Sequence, residues 1–466
     1  MQSSTSQRIT IDLPDLRRSV KGQVIGPGDA EYDTARTVFL GGFDRRPAAI
    51  VHVSGQADIS HVVSLARGRG LELAIRGGGH SGAGHSSTDG GIVLDLRHMK
   101  ALEIDAAGRT AWAESGLTAG EFTTAAGAHG LATGFGDTGS VGIGGLTLGG
   151  GVGYLVRKYG LTIDSLLAAD VVTADGQLRR VDAESHPDLF WAIRGGGGNF
   201  GVVTRFQFRL DEVDAIVGGM LILPATPEVI ASFIAEAEAA PEELSTIANV
   251  MPAPPMPFVP PEYHGRLIVM AMLAHAGGGE AGERAMAPFR ALAEPIVDMI
   301  RPMPYPEMYP PDDPSYHPTA VGRTLFIDEV DRGEAETIVD HLQASDASLR
   351  VAQLRVLGGA MARVPPEATA FAHRTSRILV NVAAFYDGLD DRPKRETWVT
   401  EFAAALRQGD AGAYVNFLGE EGEARVREAY PGSTWDRLVA IKARYDPANL
   451  FRLNQNIPTA VQGPGQ

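Results

Sequence analysis

The chain has 466 residues, 44% hydrophobic and 21% charged, which fits a soluble globular protein with two cores and argues against disorder. Its formal net charge of -16 repels phosphate backbones and anionic lipid, so nucleic acid and membrane surfaces are poor partners. With no cysteine, disulfides, zinc–thiolate sites, thiol nucleophiles and iron–sulfur clusters are all excluded.

The first eight residues lack the apolar stretch of a secretory signal, and no apolar run reaches membrane-spanning length. A soluble cytoplasmic chain, monomeric or homodimeric, is the expectation. In chain order, residues 48–53 read as a strand and 59–67 as a helix stopped near Gly68 and Gly70. Residues 71–75 form another strand that runs into a glycine cluster, and 91–96 a strand beyond it. Thr118 with Glu121 makes a capping box, so a helix starts there and ends near Gly130. Ser185-His-Pro187 should cap a short helix through Ile193. Residues 203–210 alternate, with Phe206, Phe208 and Leu210 on one side and Arg205, Gln207 and Arg209 on the other, the pattern of a half-buried strand.

From about residue 211 the pattern changes. Amphipathic helices at 227–239, 280–293, 334–344 and 392–407 alternate with strands at 266–273, 349–357 and 377–386, which predicts an antiparallel sheet covered on one face by helices. The proline-rich stretches 252–261 and 302–314 read as rim loops. Their Tyr263, His264, Tyr305, Tyr309, Tyr316 and His317 could shape an aromatic pocket or simply pack the rim. The final residues, 458–466, look disordered. The fold class is α+β.

Glycine clusters densely at 77–84, 134–153 and 195–201. Two of these formally match G-x-G-x-x-G, but each leads to a strand rather than a helix, so the Rossmann reading fails on context. Glycine loses more entropy on folding than any other residue, so clusters this dense serve close backbone approach or positive φ. One cluster alone could be tight packing. Three within about 130 residues favour a dinucleotide site, because bare backbone with free N–H groups can wrap a pyrophosphate or lie under a planar ring. His80 directly follows Gly77-Gly78-Gly79, where its imidazole could act as a nucleophile towards a bound ligand. His85 stands five residues on, with no nearby carboxylate or third histidine, so no metal site is expected.

These residues are recognisable as a set. Arg76-Gly-Gly-Gly-His80-Ser, the cluster 141–154, the segment 188–203, the Tyr414-Val-Asn-Phe417 motif and the segment 445–457 together resemble the berberine-bridge-enzyme branch of the vanillyl-alcohol-oxidase flavoprotein superfamily. The likeness runs from about residue 35 to 458. It implies a two-part FAD-binding domain of the PCMH type from residues 1–210 and 411–466, enclosing a substrate domain at 211–410, with the flavin at the junction. It also implies a covalent bond from His80 to the flavin 8α carbon. Many relatives add a second link from a cysteine. Thr138 occupies that position here, so the chain should be monocovalent, as in the histidyl-only subgroup that includes 6-hydroxy-D-nicotine oxidase.

The resemblance implies cofactor contacts from Arg76, Gly77, Gly78, Gly79, Ser81, Gly82 and His85 in the first cluster. The second cluster would contribute Thr138, Gly139, Val141, Gly142, Gly144, Gly145, Leu148, Gly149, Gly151, Gly153 and Tyr154. Asn199, Gly201, Val203 and, near the C-terminus, Asn454 complete the set. Plant members carry a glutamate base on the strand that here holds Asn381, which cannot accept a proton usefully. Some polyketide- and sugar-oxidising relatives instead use a tyrosine near the late strand that Tyr414-Val-Asn-Phe417 resembles. Tyr414, with Asn416 beside it, is therefore the candidate catalytic pair, and flavin packing is its alternative role. A phenol pKa near 10 must fall before it works at neutral pH. Gln353, Arg355 and Asn381 are candidate pocket residues.

The expected reaction is oxidation of a small organic substrate (an alcohol, amine or natural-product intermediate of secondary metabolism) by hydride transfer to flavin N5, with dioxygen reoxidising the flavin to give hydrogen peroxide. Three alternatives stay open: an oxygen-excluding dehydrogenase, a flavin-dependent oxygenase, and a non-catalytic flavin-binding scaffold.

Overall fold

A computed structural model describes residues 11–213, 215–311, 313–409 and 412–460. The leading residues, the expected domain return at 410–411 and most of the expected disordered tail lie outside the described residues.

Two sheets come from the first half. Gln23–Ile25, Ala49–His52, Ile92–Asp95 and Leu73–Arg76 form a four-stranded sheet in that order, whose last three strands run parallel. The parallel step from Ala49–His52 needs a crossover, and the helix Gln56–Arg69 supplies it. Gly70 ends that helix in the left-handed region at φ 63°, where glycine carries no Cβ penalty. The second sheet is antiparallel: Leu102–Asp105, Thr110–Glu114, Val202–Arg209, Leu166–Val172 and Leu178–Asp182. Phe206 and Phe208 are buried and Arg205 and Gln207 only partly so, as alternation predicts. The capping box at Thr118 and Glu121 is present on the helix Ala119–Gly127.

Besides a short pairing of Leu131–Ala132 with Asp211–Glu212, an eight-stranded antiparallel sheet is built entirely from residues 216–385. Its strands Leu244–Pro252, Arg350–Val356 and Ile378–Phe385 are consecutive neighbours and lie near its centre. The helices Pro227–Ala239, Gly279–Arg290, Arg332–Ala344 and Arg392–Ala405 bury one face, with Leu221, Val250, Leu273, Leu354 and Val380 pointing into that core. The other face carries Asn249, Gln353, Arg355 and Asn381, because side chains two apart on a strand share a face.

Several expectations change. The strands Ile216–Pro224, Leu244–Pro252 and Ala320–Ile327 were not legible. They are near-continuous apolar or glycine-bearing runs without alternation, and the second ends inside the expected proline loop. Ser185 does not cap the helix Pro187–Ala192. His186 holds the N-cap position at φ 52° with no side-chain cap bond, and Pro187 alone marks the start. The segment 141–154 is not all open backbone: Ile143–Gly149 is a helix. Tyr414-Val-Asn-Phe417 is no strand but one 3₁₀ turn, Val415–Phe417, closed by the Phe417 N–H on the Tyr414 carbonyl.

Candidate active site

The first two glycine clusters meet backbone to backbone. A Cβ on Gly78 would lie 2.3 Å from the Gly142 nitrogen, and one on Gly142 would lie 2.2 Å from the Gly78 nitrogen. The third cluster joins them where the Gly195 N–H donates to the Leu148 carbonyl at 3.0 Å. Between these loops lies a cavity of about 390 Å³. A Gly142→Ala substitution should therefore force the two loops apart. Overpacking of this kind costs about 1–3 kcal/mol, and the expected result is a lower thermal midpoint together with weakened flavin retention. Wild-type values for both would show that the loops can separate freely.

Most expected contact residues reach the cavity wall. Gly77, Gly78, Gly79, His80, Ser81, Gly82 and His85 line one side. Thr138, Val141, Gly142, Gly144, Gly145 and Leu148 line another, with Asn199, Gly201, Val203 and Asn454 across from them. The His85 pKa is pulled down to about 4 by burial, with the Arg45 charge adding to it, so the ring is neutral.

Six expected contacts serve packing instead. The Arg76 guanidinium is buried and turned away, donating to the Ala35 carbonyl at 2.8 Å and lying 3.4 Å from Asp95. Gly139 accepts the Gly120 N–H and ties its loop to a helix. Gly149, Gly151 and Gly153 lack a Cβ because Asn416, Thr162 and the Phe135 carbonyl occupy that space, at 2.0, 1.9 and 1.5 Å from the would-be Cβ. The Tyr154 hydroxyl donates to the Asp137 carbonyl at 3.3 Å, and burial raises its pKa. Asn199 does line the cavity, but its amide is spent on the chain: it donates to the Gly196 and Gln455 carbonyls and accepts the Ile457 N–H.

Tyr414 is 2% exposed and lines the cavity. Its hydroxyl oxygen accepts the Gly151 N–H at 3.0 Å and an Asn416 amide N–H at 2.9 Å. Asn416 also donates to the Leu146 carbonyl at 3.0 Å, which fixes its orientation. The net pKa of Tyr414 goes up, opposite to the direction that base chemistry at neutral pH asks for. Burial is the dominant cause, and the Asn416 bond, the Gly151 bond and the Arg355 charge oppose it.

Arg355 reaches the cavity from the eight-stranded sheet. It pairs with Asp137 at 2.6 Å, donates to the Val152 carbonyl at 3.0 Å and lies 5.0 Å from the Phe417 ring centroid. Gln353 stands one step behind, accepting from Arg355 at 2.7 Å and donating to Asn249 at 2.9 Å. Asn381 sits beside Gln353 in register, half-buried and off the cavity wall. Asp137 and Phe417 were missed as wall residues. The Asp137–Arg355 pair spans 218 positions and leaves no local signature.

The expected aromatic pocket splits. Tyr305 and Tyr309 are core, bonded hydroxyl to hydroxyl, and Tyr309 also donates to the Gly136 carbonyl. Tyr263 packs with Met256 and Val259 in a separate cluster, and the His264 ring bonds the Val259 carbonyl there. Only Tyr316 and His317 come near the site, through Phe39, whose ring stacks on His80.

These residues fit a flavin dinucleotide. The cradle is lined by backbone from Gly77, Gly78, Gly79, Gly142, Gly144 and Gly145, and a Cβ at Gly145 would meet no protein atom within 4 Å. The Asn454 side-chain oxygen, on the wall, is buried with no hydrogen-bond partner, an acceptor suited to a ligand O–H or N–H.

Comparison with known proteins agrees. A family profile described as "FAD binding domain" matches residues 47–182, and one described as "Berberine and berberine like" matches 413–458. The chain is 32% identical over 452 residues to (R)-6-hydroxynicotine oxidase of Paenarthrobacter nicotinovorans, covering 94% of this chain and 97% of that one. The crystal structure of 6-hydroxy-D-nicotine oxidase from Arthrobacter nicotinovorans superposes with a TM-score of 0.84 at 30% identity, covering 95% of this chain and 99% of that one. BBE-like 1 of Physcomitrella patens shares the fold at a TM-score of 0.85 and 23% identity, over 97% of this chain and 100% of that one. The chain belongs to the berberine-bridge-enzyme-like family of FAD-linked oxidoreductases.

Proposed function

We propose that this protein is an oxidase holding FAD through one covalent bond, from His80 to the flavin 8α carbon, and oxidising a small organic amine, alcohol or natural-product intermediate. The observation that carries the reading is the placement of His80 at the cavity wall, half-buried, on the glycine loop that meets Gly142. With no cysteine in the chain, a second thioether link is chemically impossible. Forming the His80 link removes one proton from the imidazole, one proton from the 8α methyl group and two electrons, which dioxygen can carry off as hydrogen peroxide.

Bound FAD supplies a two-electron acceptor that takes hydride from substrate and is reoxidised by dioxygen. The chain's own part is attachment, orientation and proton handling. In this reading Tyr414 accepts the substrate's heteroatom proton, a role supported by its position on the cavity wall and by the Asn416 amide that donates to its hydroxyl. The Asp137–Arg355 pair closes the cavity where the eight-stranded sheet meets the glycine loops, and the Arg355 charge favours a phenolate at Tyr414. The hydroxynicotine oxidase relative puts amines attached to aromatic rings at the head of a substrate panel read by peroxide release.

The test is direct. Acid-denatured wild-type protein should stay yellow and fluoresce in a denaturing gel, whereas His80→Ala should release its flavin completely on denaturation. Colour that stays bound in His80→Ala would assign the link to another residue.

A further inference from the structure

The imidazole of His80 does not stand alone on its loop. The Phe39 ring lies flat against it, with centroids 4.0 Å apart and planes inclined by 16°. Phe39 comes from a stretch with no regular structure, yet four separate contacts hold that stretch. Its own N–H donates to the Gly79 carbonyl at 3.1 Å, directly before His80. Its carbonyl accepts from His317 Nδ1 at 3.1 Å. Two residues on, the Gly41 N–H donates to the Pro318 carbonyl at 2.9 Å. On the N-terminal side, Arg76 reaches the Ala35 and Thr37 carbonyls. The edge of Tyr316 closes against the outer side of Phe39, with centroids 6.4 Å apart.

Gly79 makes the arrangement possible. It turns at φ 79°, and the site where its Cβ would sit faces the Phe39 nitrogen and the Val38 Cα at 3.9 Å. A buried arginine, an exposed histidine and a positive-φ glycine thus converge on the backbone that carries one aromatic ring, and a flat face of that ring is spent on the imidazole.

We infer that Phe39 is a positioning residue for covalent flavin attachment: its ring fixes the plane of the His80 imidazole so that a ring nitrogen meets the flavin 8α carbon. The inference rests on the attachment reading given above and extends it. The bond formed is imidazole N to 8α carbon; one proton leaves each partner, and the electron pair passes with them to dioxygen, giving hydrogen peroxide. Attachment is intramolecular once FAD is bound, so its rate depends on how often the imidazole points correctly. Small misplacements in such reactions cost up to about 100-fold. An imidazole free to turn would still bind FAD in the same cradle but would couple to it slowly.

Two variants separate the ring from mere bulk. Phe39→Leu keeps an apolar side chain against the loop and removes the flat face, while Phe39→Tyr keeps the face. Each is purified as holoprotein, total flavin is measured in the native state, and the fraction surviving acid precipitation is measured separately. The expected result is unchanged total flavin and thermal midpoint in both variants. The covalent fraction should fall at least about fivefold in Phe39→Leu and stay at the wild-type level in Phe39→Tyr. A covalent fraction in Phe39→Leu equal to wild type overturns the positioning role and leaves the attachment reading intact. Loss of total flavin in parallel with the covalent fraction also overturns it, because that is the mark of simple loop packing. Complete release of flavin from the wild type removes the attachment reading, and this inference with it.

Discussion

Tyr414→Phe should slow flavin reduction by substrate about 100-fold or more, the usual weight of a placed general base. Two N–H donors aim at the lost hydroxyl, so the variant also leaves the Gly151 and Asn416 groups without their acceptor. A small fall in thermal midpoint is expected alongside. The pH profile separates the two effects. Burial holds the phenol above its ordinary value of 10, so at neutral pH the reactive phenolate is a minor fraction. That fraction grows tenfold per pH unit below the pKa, so wild-type reduction should climb steadily from about pH 7 to about pH 9. In Tyr414→Phe the climb should vanish, because the titrating group is gone. Anaerobic stopped-flow reduction across pH reads both. An unchanged rate, or the same slope in the variant, takes Tyr414 out of the role.

The largest effect on stability is expected far from the chemistry. Lys442 and Asp446 are both fully buried, one turn apart near the end of the helix Ser433–Tyr445. The ammonium donates to Asp446 at 2.7 Å, to the Asn199 carbonyl at 2.8 Å and to the Phe451 carbonyl at 2.9 Å. The carboxylate accepts the Leu450 and Phe451 N–H groups. With the Asn199 amide, this pair pins the segment that carries Asn454 and Gln455 onto the third glycine cluster. Asp446→Ala strands a buried ammonium, and losses from breaking such pairs run to about 3–5 kcal/mol. The expected outcome is a large drop in the urea midpoint with flavin contacts at the C-terminal segment loosened. Replacing both partners by apolar residues, Lys442→Met with Asp446→Leu, should recover a substantial part, since no orphan charge remains. A single variant as stable as wild type would show that water reaches the site.

Much of this could be read along the chain. The helix caps at Thr118 and Gly70, the alternation of Phe206 and Phe208, and the position of His80 after three glycines are signals carried by neighbours. Local chemistry is enough to decode them. The glycine clusters favoured a backbone-lined site because residues this costly in entropy serve close backbone approach or positive φ. They did not say which glycines face the ligand. Gly145 is open to the cavity, whereas Gly142 gives way to the Gly78 backbone, and Gly149, Gly151 and Gly153 to Asn416, Thr162 and the Phe135 carbonyl. A missing Cβ looks the same in sequence whether a cofactor or another segment fills its place.

The order of amino acids was enough for the α+β class, the three glycine clusters, the absence of any thiol chemistry and the candidacy of His80, each set by residue type or by spacing within a turn or strand. Tertiary structure alone decided that Asp137 would meet Arg355, that the Phe39 ring would lie on His80, and that burial would raise Tyr414 rather than lower it. Those outcomes depend on segments far apart in the chain being brought within a few ångströms. Neither periodicity nor propensity reports which distant backbone will supply the partner or exclude the water.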